Sequence, residues 1–258
     1  MDAVRSADGT IIAYDQVGDG PPLVVGVGAF CTRRTFVPPD DLAARFTVYT
    51  YDRRGRGDSG DTQPYAPERE YEDLAAVASV CAQTPSVFGH SSGAAIALRA
   101  AARGVPMAAL VAYEAPFAND DTPPPPADPA ARIMALVAEG RRGEAVEFWM
   151  RDVVHLTAGV VAGMKKMPWF KGMEPLTPTL PYDIAVTDGG VPTAELAAIT
   201  VPALVLGGGN SPAWFQRSVA EQAAAIPDGR LQMIDGYDHN APPEVIASIL
   251  LDFLRRRT

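Results

Sequence analysis

A serine between two glycines is the residue best placed to do chemistry in this chain. Residues 89–93 read Gly-His-Ser-Ser-Gly and lie between a short apolar run and a stretch of helix-forming residues. A serine on a sharp strand-to-helix turn needs a strained backbone to present its hydroxyl, and the flanking glycines remove side chains that would clash there. The spacing predicts a nucleophile at Ser91. The backbone N–H of Ser92 is the expected donor to a developing oxyanion.

A serine nucleophile needs an imidazole beside it, because a hydroxyl must give up its proton to attack at neutral pH. The chain has three histidines, at positions 90, 155 and 239. His90 lies on the turn itself, where its ring is expected to point away from Ser91. His155 falls outside the alternating pattern described below. His239 follows an apolar run at residues 231–234 and is the predicted base.

The elements that must position these residues alternate along the chain. Apolar runs of strand length cover residues 10–17, 23–27, 46–52, 86–88, 107–113, 202–206 and 231–234. Helical patterns cover residues 68–83, 92–103, 214–225 and 243–256. Such alternation predicts a mostly parallel, doubly wound sheet whose ligand crevice lies outside the carboxyl ends of its strands. Ser91 and His239 both fall at such ends.

Three further segments accompany the serine motif, at residues 21–30, 48–60 and 231–239. The second contains Asp-Arg-Arg-Gly-Arg-Gly-Asp-Ser, a D-x-R-G-x-G-x-S sequence that follows a strand. Together with the serine motif, these segments resemble the α/β-hydrolase family, in its serine-nucleophile branch, over nearly the whole chain. The resemblance implies an α/β-hydrolase fold. It also implies a structural role for Asp52, Arg53 and Arg54, with the Asp52 carboxylate accepting hydrogen bonds from nearby backbone amides.

The regular alternation stops between about residues 117 and 191. A proline-rich stretch that cannot be helical opens this region, and helical spacing follows over residues 130–139 and 144–156. The resemblance implies one α/β domain, with a core of residues 1–116 and 191–258 and a helical cap of residues 117–190 inserted after the sixth strand. The late part of the cap is rich in apolar side chains. They suit the roof of an apolar pocket, or they only join the cap to the core.

The resemblance implies a second oxyanion donor in the loop after the strand at residues 23–27. Many family members carry His-Gly-x there, and this chain has Val-Gly-Ala at residues 27–29. A backbone donor tolerates the loss of histidine, so the predicted donor is the Ala29 N–H, or the Phe30 N–H if the register differs by one. Cys31 in the same loop is predicted to be a small buried residue rather than a reactive thiol.

The acid of the triad is the point at which the chain departs from the usual pattern of the family. Members usually carry Asp after the seventh strand, but residues 204–212 contain no carboxylate, and Asn210 stands near that position. Some relatives place the acid after the sixth strand, where this chain has Glu114. The resemblance therefore implies Glu114 as the acid, with a polar strand-end role as the alternative. Asp235 and Asp238 are weaker rivals.

The composition excludes several classes of partner. A net charge of −9 argues against nucleic acids and anionic membranes. Two cysteines without CxxC spacing predict neither a disulfide framework nor a zinc site. No apolar stretch approaches the ~18 residues of a membrane span, and the N-terminus lacks a signal-peptide core. We expect a cytoplasmic protein, bacterial by its arginine- and alanine-rich composition, that is a monomer or homodimer and uses no cofactor and no metal.

The type of nucleophile indicates the reaction within the family. Aspartate at the turn would indicate dehalogenation or epoxide opening, whereas serine indicates acyl transfer to water. The resemblance implies a cofactor-free serine hydrolase of a carboxylic ester, lactone or related acyl bond in a medium-sized apolar substrate. The pocket is predicted to include Phe30, Trp149, Met167 and Trp169. Three alternatives stay open: a C–C bond hydrolase, a non-hydrolytic cyclase or lyase of natural-product metabolism, and a non-catalytic binding protein with the same fold.

Overall fold

Eight strands form one sheet in the computed structural model, which describes residues 1–255. The strands are β1 (Asp2–Arg5), β2 (Ile11–Val17), β3 (Pro22–Gly26), β4 (Thr47–Tyr51), β5 (Ser86–His90), β6 (Leu110–Tyr113), β7 (Ala203–Gly208) and β8 (Gly229–Ile234). Their spatial order is β1-β2-β4-β3-β5-β6-β7-β8. β2 is antiparallel to β1 and to β4, and the other neighbouring pairs are parallel. The predicted mostly parallel sheet of an α/β-hydrolase fold is confirmed.

Helices cover both faces of the sheet. In chain order they are α1 (Asp40–Ala43), α2 (Pro67–Ser79), α3 (Ser92–Ala102), α4 (Pro129–Ala138), α5 (Arg142–Phe148), α6 (Ala158–Met164), α7 (Leu180–Thr187), α8 (Thr193–Leu196), α9 (Ala213–Ala225) and α10 (Pro243–Leu254). Apolar side chains of α2, α3 and α9 pack in one cluster with the sheet, and those of α1 and α10 pack in a second. None of the helices within residues 1–255 is long and apolar enough to cross a membrane.

The central strands bring the ends of β5, β6 and β7 to one edge. All residues of β3, β6 and β7 are buried, which suits parallel strands covered by helices on both faces. His90 at the end of β5 pairs with Tyr113 at the end of β6, which pairs with Leu206 in β7. The residues that follow β5 and β6, Ser91 and Glu114, therefore lie at the same edge of the sheet.

A helical segment, residues 117–190, lies between β6 and β7 in the chain and is followed by the short helix α8 before β7 begins. It contains α4 to α7, a π-helix (Trp149–Val153) and a 3₁₀-helix (Phe170–Thr179). Its apolar side chains form a third cluster, which is joined by the partly buried Ala29 and Phe30 from the loop after β3. The segment therefore packs on the core beside the carboxyl end of β3.

Some elements differ from the sequence predictions. The helix expected over residues 144–156 ends in a π-helix, in which the Val154 N–H donates to the Trp149 carbonyl five residues earlier. The 3₁₀-helix was not predicted, and Pro175 and Pro178 within it lack the amide hydrogens that a regular α-helix uses. β1 was also missed, because its four mostly exposed residues at the sheet edge carry no apolar run.

Candidate active site

Ser91 lies on a strained turn between β5 and α3. Its φ of 58° is in the left-handed region, which non-glycine residues rarely adopt. The Ser91 N–H donates to the Tyr113 carbonyl oxygen at 2.9 Å, so the turn continues the pairing of β5 with β6. A Cβ at Gly89 would lie 2.6 Å from the Ala94 Cα, so a side chain there would clash with α3. The turn thus has the geometry that the Gly-x-Ser-x-Gly sequence predicts, with the serine at a helix N-terminus.

Glu114 and His239 are in direct contact. The Glu114 side chain is fully buried at the end of β6, and its backbone φ is 49°. One carboxylate oxygen, Oε2, lies 2.7 Å from His239 Nδ1, and the other, Oε1, accepts a hydrogen bond from the Gly208 N–H at 2.8 Å. This arrangement places the hydrogen of His239 on Nδ1 and leaves Nε2 able to accept a proton. Asp235 and Asp238, the rival carboxylates, are exposed.

The loop that carries His239 is held by two side chains of neighbouring strands. Burial, together with the adjacent His239, lowers the pKa of His90 to about 3, so this ring is neutral at neutral pH. Because a carbonyl oxygen only accepts, His90 Nε2 carries its hydrogen and donates to the His239 carbonyl oxygen at 2.9 Å. The Tyr113 hydroxyl donates to the Asp238 carbonyl and accepts from the Ala241 N–H. His90 therefore contacts the backbone of the expected base.

The loop after β3 lies against the nucleophile. A Cβ at Gly28 would be 2.6 Å from the Ser91 Cβ and 3.0 Å from its Oγ, so only glycine fits at this position. Ala29 follows at once, and Phe30 has a left-handed φ of 58°. The structure therefore brings the loop that carries Ala29 next to the turn that carries Ser91 and Ser92. The roles of Ala29 and Ser92 as oxyanion donors stay predictions.

The four predicted pocket residues fall into two pairs. Phe30 and Trp149 pack edge to face with ring centroids 6.2 Å apart, and both belong to the third apolar cluster. Met167 and Trp169 are each 48% exposed, in the turn between α6 and the 3₁₀-helix. Phe30 and Trp149 therefore form one apolar surface, whereas about half of Met167 and of Trp169 is exposed to solvent. Their part in a pocket stays a prediction.

Comparison with known proteins identifies the fold family. A model of the alpha/beta hydrolase family matches residues 7–247, which is most of the chain. The chain belongs to the alpha/beta hydrolase family. A solved alpha/beta hydrolase from Sphaerobacter thermophilus is 47% identical to it, with a TM-score of 0.93, and the match covers 98% of this chain and 100% of that one.

Two further solved structures share the fold at lower identity. A thermophilic esterase from Thermogutta terrifontis is 20% identical, with a TM-score of 0.76 and coverage of 100% of this chain and 99% of the esterase. The enol-lactonase from Burkholderia xenovorans is 21% identical, with a TM-score of 0.74 and coverage of 98% and 100%. At these identities the similarity shows the fold alone.

The turn after β4 holds a group of buried charges, of which the sequence predicted only a part. The Asp52 carboxylate accepts hydrogen bonds from the backbone N–H groups of Arg33 and Asp58, at 2.7 and 2.9 Å, as the resemblance implies. Arg54 forms two 2.8 Å hydrogen bonds to the buried Asp73 carboxylate. These contacts fix the turn against the loop after β3 and against α2.

Two residues of this region were missed at the sequence level. Arg56 is buried and bonds to Asp183 in α7, which is also buried. The sequence held one signal of such ion pairs, namely three arginines within four residues of a glycine-rich turn. Guanidinium groups that are buried under such a turn require carboxylate partners. Sequence spacing could not reveal the partner of Arg56, which lies 127 residues away.

Proposed function

We propose that this protein is a serine hydrolase that cleaves a carboxylic ester, lactone or related acyl bond through an acyl-enzyme on Ser91. The observation that carries the proposal is the buried Glu114 carboxylate, held by the Gly208 N–H on one oxygen and facing His239 Nδ1 with the other. A carboxylate in this position orients the imidazole and stabilises the imidazolium that forms during attack. The strained conformation of Ser91 supports the same reading.

In the proposed reaction, Ser91 Oγ attacks the acyl carbon while His239 Nε2 accepts the hydroxyl proton. The N–H groups of Ala29 and Ser92 donate to the oxygen on which negative charge develops. His239 then returns the proton to the departing alcohol or enol oxygen, and the acyl group remains on Ser91. A water molecule, deprotonated by the same imidazole, attacks the acyl-enzyme, and the bond between the acyl carbon and Ser91 Oγ breaks. The imidazolium returns its proton to Ser91 Oγ, and the acid is released.

The proposed substrate is a medium-sized apolar acyl compound, bound between the core and a cap formed by the helical segment. The edge-to-face pair Phe30 and Trp149 supports this choice, because it puts an apolar wall beside the loop that packs on Ser91. We place Met167 and Trp169 at the outer end of the pocket, consistent with their partial exposure. The esterase and the enol-lactonase that share the fold act on the same class of bond, which adds support.

Labelling with an alkyl fluorophosphonate tests the nucleophile directly. The native protein should gain one adduct, which peptide mass spectrometry places on Ser91, and it should hydrolyse p-nitrophenyl esters. Ser91→Ala should abolish both labelling and turnover. Ser79→Ala, which alters an exposed serine on α2, is the matched control and should change neither. An adduct at another residue, or near wild-type turnover in Ser91→Ala, would refute the proposal. A folded wild type that neither labels nor turns over esters would favour a non-catalytic binding protein.

A further inference from the structure

Arg56 connects the loop after β3 to the helical segment. Its guanidinium is fully buried, and each of its three nitrogens has a partner. Nη1 donates to the Gly28 carbonyl oxygen at 2.6 Å, Nη2 to Asp183 Oδ2 at 2.7 Å, and Nε to Thr179 Oγ1 at 3.1 Å. The first partner belongs to the loop beside Ser91, and the other two belong to the helical segment.

Asp183 connects the helical segment to the turn that carries the nucleophile. Its Oδ1 accepts from the Ser92 hydroxyl at 2.6 Å and from Arg53 Nη1, also at 2.6 Å. Arg53 in turn donates to the Ser92 hydroxyl at 2.9 Å. One carboxylate of α7 thus contacts Ser92, whose own N–H is one proposed oxyanion donor. Through Arg56 it is also linked to Gly28, whose carbonyl shares a peptide with the Ala29 N–H, the other proposed donor.

The charges of this cluster balance. Two guanidiniums, Arg53 and Arg56, face two carboxylates, Asp183 and Glu70, and Arg53 bonds both oxygens of Glu70 at 2.6 and 2.9 Å. Burial alone would raise the pKa of the Asp183 carboxyl, but the two guanidiniums hold that pKa below its usual value. Asp183 is therefore ionised, and a buried pair of this kind keeps its geometry because each group would be costly to leave unpaired.

The hydrogen bond to Gly28 fixes the direction of the next N–H group. In a planar trans peptide, the carbonyl of one residue and the N–H of the following residue point in opposite directions. Because Arg56 holds the Gly28 carbonyl, it also sets the direction of the Ala29 N–H. Gly28 itself packs so tightly on Ser91 that the peptide has little room to move as a whole. Rotation of this peptide is the remaining freedom, and Arg56 restricts it.

We propose that Arg56 is a positioning residue for the oxyanion hole, and that Asp183 makes the geometry of this hole depend on the docked helical segment. The inference rests on the proposed function, since it requires Ala29 and Ser92 as donors. Their alignment matters for the transition state more than for substrate binding, because the charge on the oxygen develops only during attack. Loss of alignment should therefore lower kcat and leave KM largely unchanged.

Arg56→Lys tests the proposal, with Arg54→Lys as the matched control. A lysine ammonium is too compact to reach the three partners of Arg56 in the same geometry. Arg54 is equally buried in the same turn, but its partners are Asp73, Asp8 and the Arg69 carbonyl, away from the oxyanion loop. For Arg56→Lys we expect kcat for a p-nitrophenyl ester to fall about 10-fold to 100-fold, as for a slightly misplaced donor. The folded fraction of Arg54→Lys should keep the wild-type kcat.

The affinity for a trifluoromethyl ketone with a matching alkyl chain separates positioning from a structural role. Its adduct with the nucleophile carries an oxyanion, so the inhibition constant of Arg56→Lys should rise by the factor by which kcat/KM falls. The folded fraction of Asp183→Asn should give the same pattern, whereas simple loosening of the helical segment would raise KM alone. A wild-type kcat in Arg56→Lys, or a lower kcat with an unchanged inhibition constant, would overturn the proposal.

Thr179→Val is a second variant for the case in which Arg56→Lys does not fold. The change keeps the shape of the side chain and removes the acceptor for Arg56 Nε. It should lower kcat and weaken the inhibitor in parallel, though less than Arg56→Lys, and no change in either quantity would overturn the proposal. The wild type separates failure of the proposed function from failure of the positioning role. If the wild type is neither labelled at Ser91 nor active on esters, the proposed function is wrong. If it is labelled and active but the variants are unaffected, only the positioning role of Arg56 is wrong.

Discussion

Glu114→Gln is the most informative single substitution at this site, because the structure dictates how the new amide must lie. The Gly208 N–H needs an acceptor where Glu114 Oε1 now lies, 2.8 Å away. The glutamine oxygen therefore stays there, and the NH₂ group faces His239 Nδ1. An amide NH₂ only donates, so Nδ1 must present its lone pair and the ring hydrogen must move to Nε2. In that tautomer, the imidazole cannot accept the proton of Ser91.

The expected loss of turnover is large. Replacing the acid by its amide in a serine–histidine–aspartate triad costs about 10⁴ in kcat, through the wrong tautomer and the lost stabilisation of the imidazolium. This corresponds to roughly 5 kcal/mol of transition-state stabilisation. We expect a loss of similar size for Glu114→Gln, because the carboxylate is fully buried and no solvent can replace its charge. The opposite amide orientation would set two N–H donors against each other at Gly208.

The assay is the kcat of the purified variant for a p-nitrophenyl ester, with a thermal melt to show that it is folded. Glu221→Gln, an exposed glutamate on α9, is the control for loss of one carboxylate, and Asp235→Asn and Asp238→Asn test the exposed rivals. All three should stay close to wild type. If Glu114→Gln kept most of its activity, the ring hydrogen of His239 would not be held on Nε2, and the triad would use another acid or function as a serine–histidine pair.

Three further outcomes are expected. Trp149→Ala should weaken the preference for long over short acyl chains. The ratio of their kcat/KM values should fall by up to about fourfold per methylene, because burying one methylene contributes about 0.8 kcal/mol. Met134→Ala, which alters an exposed residue of the same segment, should leave this ratio unchanged. Ser91→Gly should be more stable to urea than Ser91→Ala, by about 1 kcal/mol, because glycine relieves the left-handed strain at some entropic cost; equal midpoints would show that the turn stores no strain. His90 is neutral when folded but protonates near pH 6.5 when unfolded, so the unfolded state binds more protons below that pH and stability falls there. Between pH 7 and pH 4.5, His90 accounts for roughly 2.5 kcal/mol of this loss. His90→Gln should therefore lose less stability than the wild type over this range, and identical losses in the two proteins would contradict a neutral His90 in the folded state.

Much of the sheet, and the positions of Ser91 and His239 after strand ends, could be predicted because their signals are local. An apolar run followed by Gly-x-Ser-x-Gly specifies a strand, a tight turn and a helix within about fifteen residues, and the structure has β5, Ser91 and α3 in that order. The position of His239 could be predicted in the same way, because an apolar run of strand length, part of β8, precedes it closely in the chain. Glu114 was reached only through the family resemblance, because a glutamate at the end of a strand carries no pattern of its own. The structure places it against His239.

The remainder depends on contacts between distant parts of the chain. Asp183 is one of several acidic residues in helical surroundings, and only the docking of α7 onto the turn after β4 makes it a buried ion-pair partner. Composition likewise selected Met167 and Trp169 as apolar residues of the helical segment, but it could not tell that both are half exposed. Which face of an irregular segment is covered is decided by tertiary packing and not by local periodicity.

The buried ion cluster also limits how this protein can be engineered. Exchanging the helical segment for that of a relative is an obvious route to new substrate preference, since the segment forms one side of the proposed pocket. A donor segment without a carboxylate at the position of Asp183 would leave Arg53 and Arg56 facing Glu70 alone, with one positive charge buried and uncompensated. Such a chimera should express poorly whatever its pocket looks like. In grafts that retain a carboxylate at the position of Asp183 and a hydroxyl at the position of Thr179, substrate specificity can be changed without loss of folding.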